Sequence, residues 1–274
     1  MTYDVLGPVA LDYLPCRYGT SKLIFRGPQR ELKNPYIAFL GGTQTFGKFI
    51  EQPYPLRVEH LTGVASVNFG QMNAGLDVFA SDPVIAEAAR GARVTVLEVL
   101  GAINLSNRLY SVHPRRNDRF LRTAPDLRAL YPEVDFSQFN FTQHMLSDLF
   151  QRDGQRFATM RRILQRTWVR RMRQLIDRLG GHVVLLRIGN DSQDKICPVG
   201  QGFGPVLVSD DMIEEVRGAV SAIVDVPASV TDGPNRYDGM IVSAPEEEAA
   251  KVVAPARVHS AVAQALLPVL DQLI

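Results

Sequence analysis

From Tyr36 onward, short apolar runs alternate with longer amphipathic stretches. The runs YIAFL (36–40), GVASVNFG (63–70), RVTVLEVLG (93–101), GGHVVLLRIG (180–189) and SAIVDV (221–226) carry many β-branched residues and few charges. Strands apolar on both faces are the mark of a parallel sheet covered by helices, so five such strands are predicted. Between them, Ser81-Asp82-Pro83 places a capping side chain ahead of a first-turn proline and predicts a helix over 82–90. Met160, Ile163, Leu164, Thr167, Trp168, Met172, Leu175 and Leu179 recur at helical spacing, which predicts a long amphipathic helix over 155–179. Another helix is predicted from about Asp210, and one or two close the chain through Leu273.

Two stretches interrupt that rhythm. Residues 1–35 are rich in Pro, Gly and Tyr without periodicity, and read as an arm packed on the domain through Leu11, Tyr13, Leu14, Leu23, Ile24 and Phe25. Residues from about 108 to 150 read as an Arg-rich insertion, with YSVHPRRNDRF as an inserted loop. The expectation is an α/β fold, a three-layer sandwich with a parallel sheet of about five strands. It occupies 36–274 as a single domain carrying that insertion.

Composition narrows the partners. With 274 residues, 46% of them hydrophobic, the chain can bury a large core. Thirty basic side chains against 29 acidic ones give no overall pull toward nucleic acid or an anionic membrane. Arg161, Arg162, Arg166, Arg170, Arg171 and Arg173 read as a solvated set spread over several helix faces, and no nucleic-acid-binding module is expected. Cys16 and Cys197 lack metal-ligand spacing and read as reduced thiols. No cofactor or metal is expected. The opening MTYDVLGPVALDYLP lacks a basic segment followed by an apolar one, and no run approaches a membrane span; a cytoplasmic location is expected.

In a doubly wound sheet ligands bind beyond the carboxyl ends of the strands. That brings together GGTQTFG (41–47), the stretch from Gly70 to Gly75, and Gly101 to Asn107. GGTQTFG lacks the Lys-Ser/Thr ending of a phosphate loop and the spacing of a dinucleotide fingerprint. A glycine corner without chemistry, or a hydroxyl nucleophile at a helix start, remain open for it. The succession FLGGTQTFG, VNFGQMNAGLD, VLGAINLSN and APARVHSAV resembles the SGNH/GDSL hydrolase superfamily. The whole chain is also similar to an uncharacterised bacterial family of unknown function. The superfamily resemblance implies a flavodoxin-like SGNH fold and puts Thr43 at the nucleophile position and Gly42 where an aspartate is common. It puts Asn73 and Asn104 at the oxyanion positions and His259 at the base, with Ala256 where its aspartate would stand. No acid among Glu98, Asp77 and Asp238 is assigned to serve His259 instead.

The activity so implied is ester hydrolysis or acyl transfer on a polar or anionic small molecule or saccharide. The alternative is an inactive relative that binds an anionic carbohydrate or a protein. Gly42 and Gly70 are expected to line the substrate site, and Arg108, His113, Arg115 and Arg116 to overhang it and hold an anion. An ion-paired lid is the competing reading of those arginines. His144, among aromatics, is expected in the core.

Overall fold

The computed structural model describes residues 11–190, 204–227 and 237–274. Its main sheet contains β1 (Tyr36–Leu40), β2 (Ala65–Asn68), β3 (Val94–Glu98), β6 (Val183–Asn190) and β7 (Ala222–Pro227), while β4 (Tyr110–Val112) and β5 (Phe120–Thr123) form a separate hairpin. The five strands are all parallel, in the order β2-β1-β3-β6-β7. With the hairpin set aside this is the flavodoxin-like order of a doubly wound sheet. The expected five strands and their parallel pairing are therefore present.

Strand geometry divides the core. Because successive side chains point to opposite faces, Ile37 and Phe39 join one hydrophobic cluster while Ala38 and Leu40 join the other. On the first face lie α2 (Tyr54–Thr62) and α10 (Ala256–Leu273), which contribute Tyr54, Val58, Val262, Leu266 and Leu270. On the second lie α3 (Leu76–Ser81), α4 (Pro83–Gly91), α7 (Gly154–Leu179) and α8 (Asp210–Arg217). Helix α7 buries Phe157, Met160, Leu164, Trp168, Met172, Leu175 and Leu179, a continuous 3–4 spaced stripe. Gly180, at φ 64°, ends it as a residue without a Cβ can. Helix α4 begins where the sequence places it: the Asp82 carboxylate accepts from the Val84 and Ile85 amides, and Pro83 opens the first turn.

Residues 11–35 of the arm lie against the second face, although Leu14 and Ile24, expected to pack there, are exposed. Tyr18, Leu23 and Phe25 are buried, and the rings of Tyr18 and Phe25 stand edge-on to Phe69 at 5.2 and 5.1 Å. The stretch read as an inserted loop is more regular than its sequence suggests. The insertion around it contains the β4–β5 hairpin, α5 (Pro125–Leu130) and most of α6 (Thr142–Arg152). Fully buried Asn117 fixes the insertion to the domain, its Oδ1 accepting from the Gly75 and Val78 amides at 3.0 and 3.1 Å. Among the described residues no helix is long and apolar enough to cross a membrane. Cys197, Gly200 and Gly202 lie outside the described residues; Cys16 is a free thiol.

Candidate functional site

The chain leaves β1 through Gly41 and Gly42 and turns at once into α1 (Thr43–Phe46). The turn is tight because Glu98, the last residue of β3, folds beneath it. Glu98 Oε2 accepts from the Gly42 amide at 2.8 Å, the Thr45 amide at 3.2 Å and the Thr45 hydroxyl. A Cβ on Gly41 would stand 1.9 Å from Thr45 Oγ1 and 2.4 Å from Glu98 Oε2, so no side chain fits there. Thr45 passes its hydroxyl contact on to the Tyr54 phenol at 2.7 Å. Glu98 is 6% exposed, and burial raises its pKa while the three donors pull it back. No opposite charge pairs with it among the described residues.

Above the turn the predicted hydroxyl and amides meet. Thr43 Oγ1 receives the Asn73 backbone N–H at 3.0 Å, and the Thr43 hydroxyl lies 3.4 Å from Asn73 Oδ1. Asn73 holds φ 56°, a left-handed conformation that asparagine tolerates better than most residues. Asn104 donates through Nδ2 to the Asn73 carbonyl at 3.3 Å, and its Oδ1 accepts the Thr142 hydroxyl at 2.6 Å. Gly75 lets the two loops meet, since a Cβ there would lie 1.6 Å from the Asn104 carbonyl oxygen.

These groups wall a cavity of about 370 Å³ at the carboxyl ends of β1 and β3, the switch point of the sheet. Gly42, Thr43, Asn73, Asn104, Glu98 and Lys48 are on its wall with Gln44 and Gln143, and apolar residues such as Leu100 and Val206 line the rest. Gly70 is not on the wall. A Cβ there would be 2.3 Å from the Phe46 amide nitrogen, so its bareness admits α1 close to the sheet rather than contacting a ligand.

His259 stands elsewhere. It is 1% exposed, in the first turns of α10, with its ring stacked 5.9 Å from Tyr54. Its Nδ1 accepts the Tyr54 backbone N–H at 3.1 Å, so the neutral ring carries its proton on Nε2, which is buried with no well-aligned partner among the described residues, the Ala254 backbone being near enough only to favour the charged ring slightly. Burial first, then the positive charges of Arg57 and Arg26, push its pKa down to about 3. No hydrogen bond joins it to Thr43, and it does not line the cavity. The nucleophile–base pair implied by the resemblance is therefore not assembled: β1, α2 and α10 close over the imidazole, and Tyr54 lies between it and the turn.

The expected anion clamp is displaced as well. Arg115 and Arg116 are exposed, and their amides donate to His113 Nδ1 at 3.2 and 3.1 Å, a local turn contact. Arg108 pairs loosely with Asp126 at 3.5 Å. None of these four lines the cavity. His144 is exposed, edge-on to Phe139 at 5.1 Å, rather than in the core. Of the helical arginines, Arg162, Arg166, Arg170 and Arg173 share one groove against α8, a more one-sided arrangement than the sequence reading gave them.

Glu98 and Lys48 are the site residues that sequence reasoning did not assign. The signal for Glu98 was present: a lone acid closing the apolar strand VTVLE has few reasons to be there unless it is used.

No curated protein matches the chain. Among solved structures, the lipase Lip_vut3 from a goat rumen metagenome is 13% identical, with 86% of this chain and 97% of that chain covered and a TM-score of 0.44. At that distance the likeness bears on neither residues nor activity, and the fold rests on the strand order above. The family model described as a domain of unknown function, DUF6473, matches residues 1–274, and the chain belongs to that family.

Proposed function

We propose that the protein is an SGNH-like fold whose triad has lapsed, and that the cavity beside Gly42 and Thr43 binds a small polar molecule. The observation that supports this most is the fate of His259, whose accepting nitrogen is committed to the Tyr54 amide and whose proton is held inside the core. A general base has to reach the proton it removes, and a ring whose pKa is about 3 is a poor acceptor near neutral pH. What remains around the cavity is recognition chemistry: a hydroxyl, four carboxamides from Gln44, Asn73, Asn104 and Gln143, one carboxylate and one lysine.

A second reading keeps the hydrolase. What supports it is that Thr43 Oγ1, the Asn73 amide and Asn104 lie together, although here the amide donates to Thr43 Oγ1 and the Asn104 side chain to the Asn73 carbonyl, so both donors would have to turn to an oxyanion. Short-chain p-nitrophenyl ester hydrolysis by wild type and Thr43→Ala decides between the two. The binding reading expects no difference in rate. Hydrolysis abolished in Thr43→Ala at an unchanged melting temperature would replace it with the hydrolase reading.

A further inference from the structure

The cavity contains a buried acid, Glu98, that no opposite charge meets among the described residues. Glu98 is more than nine-tenths buried, and one of its two oxygens is saturated: Oε2 takes the Gly42 amide, the Thr45 amide and the Thr45 hydroxyl. The other, Oε1, has no hydrogen-bond partner among the described residues. It sits on the cavity side, beside Gly42, where a Cβ would meet it at 3.6 Å. Three donors on one oxygen favour the carboxylate form, working against the burial that raises the pKa of Glu98. A buried ion is nevertheless costly until an opposite charge meets it.

Lys48 enters the same cavity from the other side of the turn. Its Nζ lies over the Phe49 ring, 4.5 Å from the centroid, and makes no ion pair among the described residues. Glu98 and Lys48, neither of them ion-paired among the described residues, therefore both line a volume of about 370 Å³, at the small end of the range for ligand pockets. Among the described residues no second carboxylate lines the wall to make a metal site of it.

We infer that the cavity takes a small zwitterion of the α-amino acid type, with its ammonium group on Glu98 Oε1 and its carboxylate toward Lys48. The ammonium completes the compensation that three neutral donors begin. Thr43, Asn104 and Gln143 are left to select among side chains. This rests on the reading of the cavity as a binding pocket and names the class of its ligand.

The test uses the whole chain, titrated calorimetrically with free α-amino acids, with their N-acetyl derivatives and with the matching α-hydroxy acids. At least one free amino acid should bind. N-acetylation, or replacing its ammonium by hydroxyl, should weaken binding on the order of a hundredfold, the cost of leaving a buried charge unpaired. Glu98→Gln should do the same: its carbonyl can still accept from Gly42 and Thr45, while its amide turns a donor toward the cavity. Lys48→Met should weaken binding by a few-fold only, because that partner is less buried. Acetylated and free ligands binding alike would overturn the inference. So would undiminished affinity in Glu98→Gln, or no binding by any free amino acid. A saccharide bound in the cavity in place of any amino acid would also overturn it, leaving the pocket reading intact. Thr43-dependent ester hydrolysis would remove the pocket reading itself.

Discussion

Gly41 has almost no choice of residue. Its missing Cβ leaves room for the Thr45 hydroxyl and the Glu98 carboxylate to meet, and Gly41→Ala forces a carbon to 1.9 Å from one and 2.4 Å from the other. The neighbours are anchored in buried hydrogen bonds, so they cannot yield cheaply. Gly41→Ala should lower unfolding free energy by at least ~2 kcal/mol, read as a lower denaturant midpoint at an unchanged slope. A loss of less than ~0.5 kcal/mol would mean that the turn relaxes freely. His259 makes a second residue-scale prediction. Folded, it stays neutral down to about pH 3; unfolded, it takes up a proton near pH 6.5. Between those values the unfolded chain binds more protons, so stability falls as pH drops through that window and is unaffected above it. The arithmetic of one pKa unit gives roughly 3 kcal/mol lost between pH 7 and pH 4. His259→Gln should lose less over the same range by about that amount, while other groups titrate in both proteins. Parallel stability curves for the two would show that the ring is not buried and neutral.

At the scale of elements, the joints between arm, insertion and sheet rest on a few polar side chains. Asp82 illustrates this. One oxygen caps α4, and the other accepts the Ser21 hydroxyl from the arm at 2.6 Å. Asp82→Ala therefore removes a cap and a tether together. It should cost about 1–2 kcal/mol, at the upper end for a lost N-cap, with faster amide exchange in the first turn of α4. Asp82→Asn, which keeps the accepting oxygen for the amides, should recover most of it. If alanine and asparagine destabilise equally, the cap is not what matters. Arg26 plays the corresponding part beyond α1, donating to the carbonyls of Phe46, Gly47, Ile50 and Glu51. It satisfies a loop whose carbonyls have left secondary structure. Burial pulls its pKa down to about 10, still well above neutral pH.

For the molecule as a whole, the two faces of the sheet have different duties. The face under α2 and α10 is closed around His259, while the switch point between β1 and β3 opens into the cavity. Trp168, the single tryptophan, ties the opposite helix layer to that opening: its indole N–H donates to the Leu100 carbonyl at 2.7 Å, and Leu100 lines the cavity. Trp168 emission should be blue-shifted in the native state and red-shift in a transition coincident with loss of far-ultraviolet dichroism. Trp168→Phe should destabilise by about 1–3 kcal/mol, from lost volume and an orphaned carbonyl. Emission that changes well before the dichroism would mean that the α7 layer comes away separately.

The sequence by itself determined the elements whose cause is local. Apolar β-branched runs dictated the strands, the Ser81-Asp82-Pro83 cap began α4 within a residue, and the 3–4 spaced stripe from Met160 to Leu179 gave α7. It also brought Thr43, Asn73 and Asn104 to one place, because strand ends in a parallel sheet share an edge. The insertion was misread as loop because β4, β5 and α5 are short, and their order comes from contacts such as Asn117 to Gly75 rather than from periodicity. Only the tertiary structure decided the site. Whether His259 faces Thr43 or the core depends on how α10 packs against α2, about two hundred residues away in the chain, and no spacing records that rotation. Which acid lies beneath the glycine turn is settled likewise by the register of β3 against β1, which pairs Phe39 with Val96 and carries Glu98 to the opening. A side chain's neighbours along the chain fix its backbone, but its charge and its partners are set by whatever the fold brings across from elsewhere.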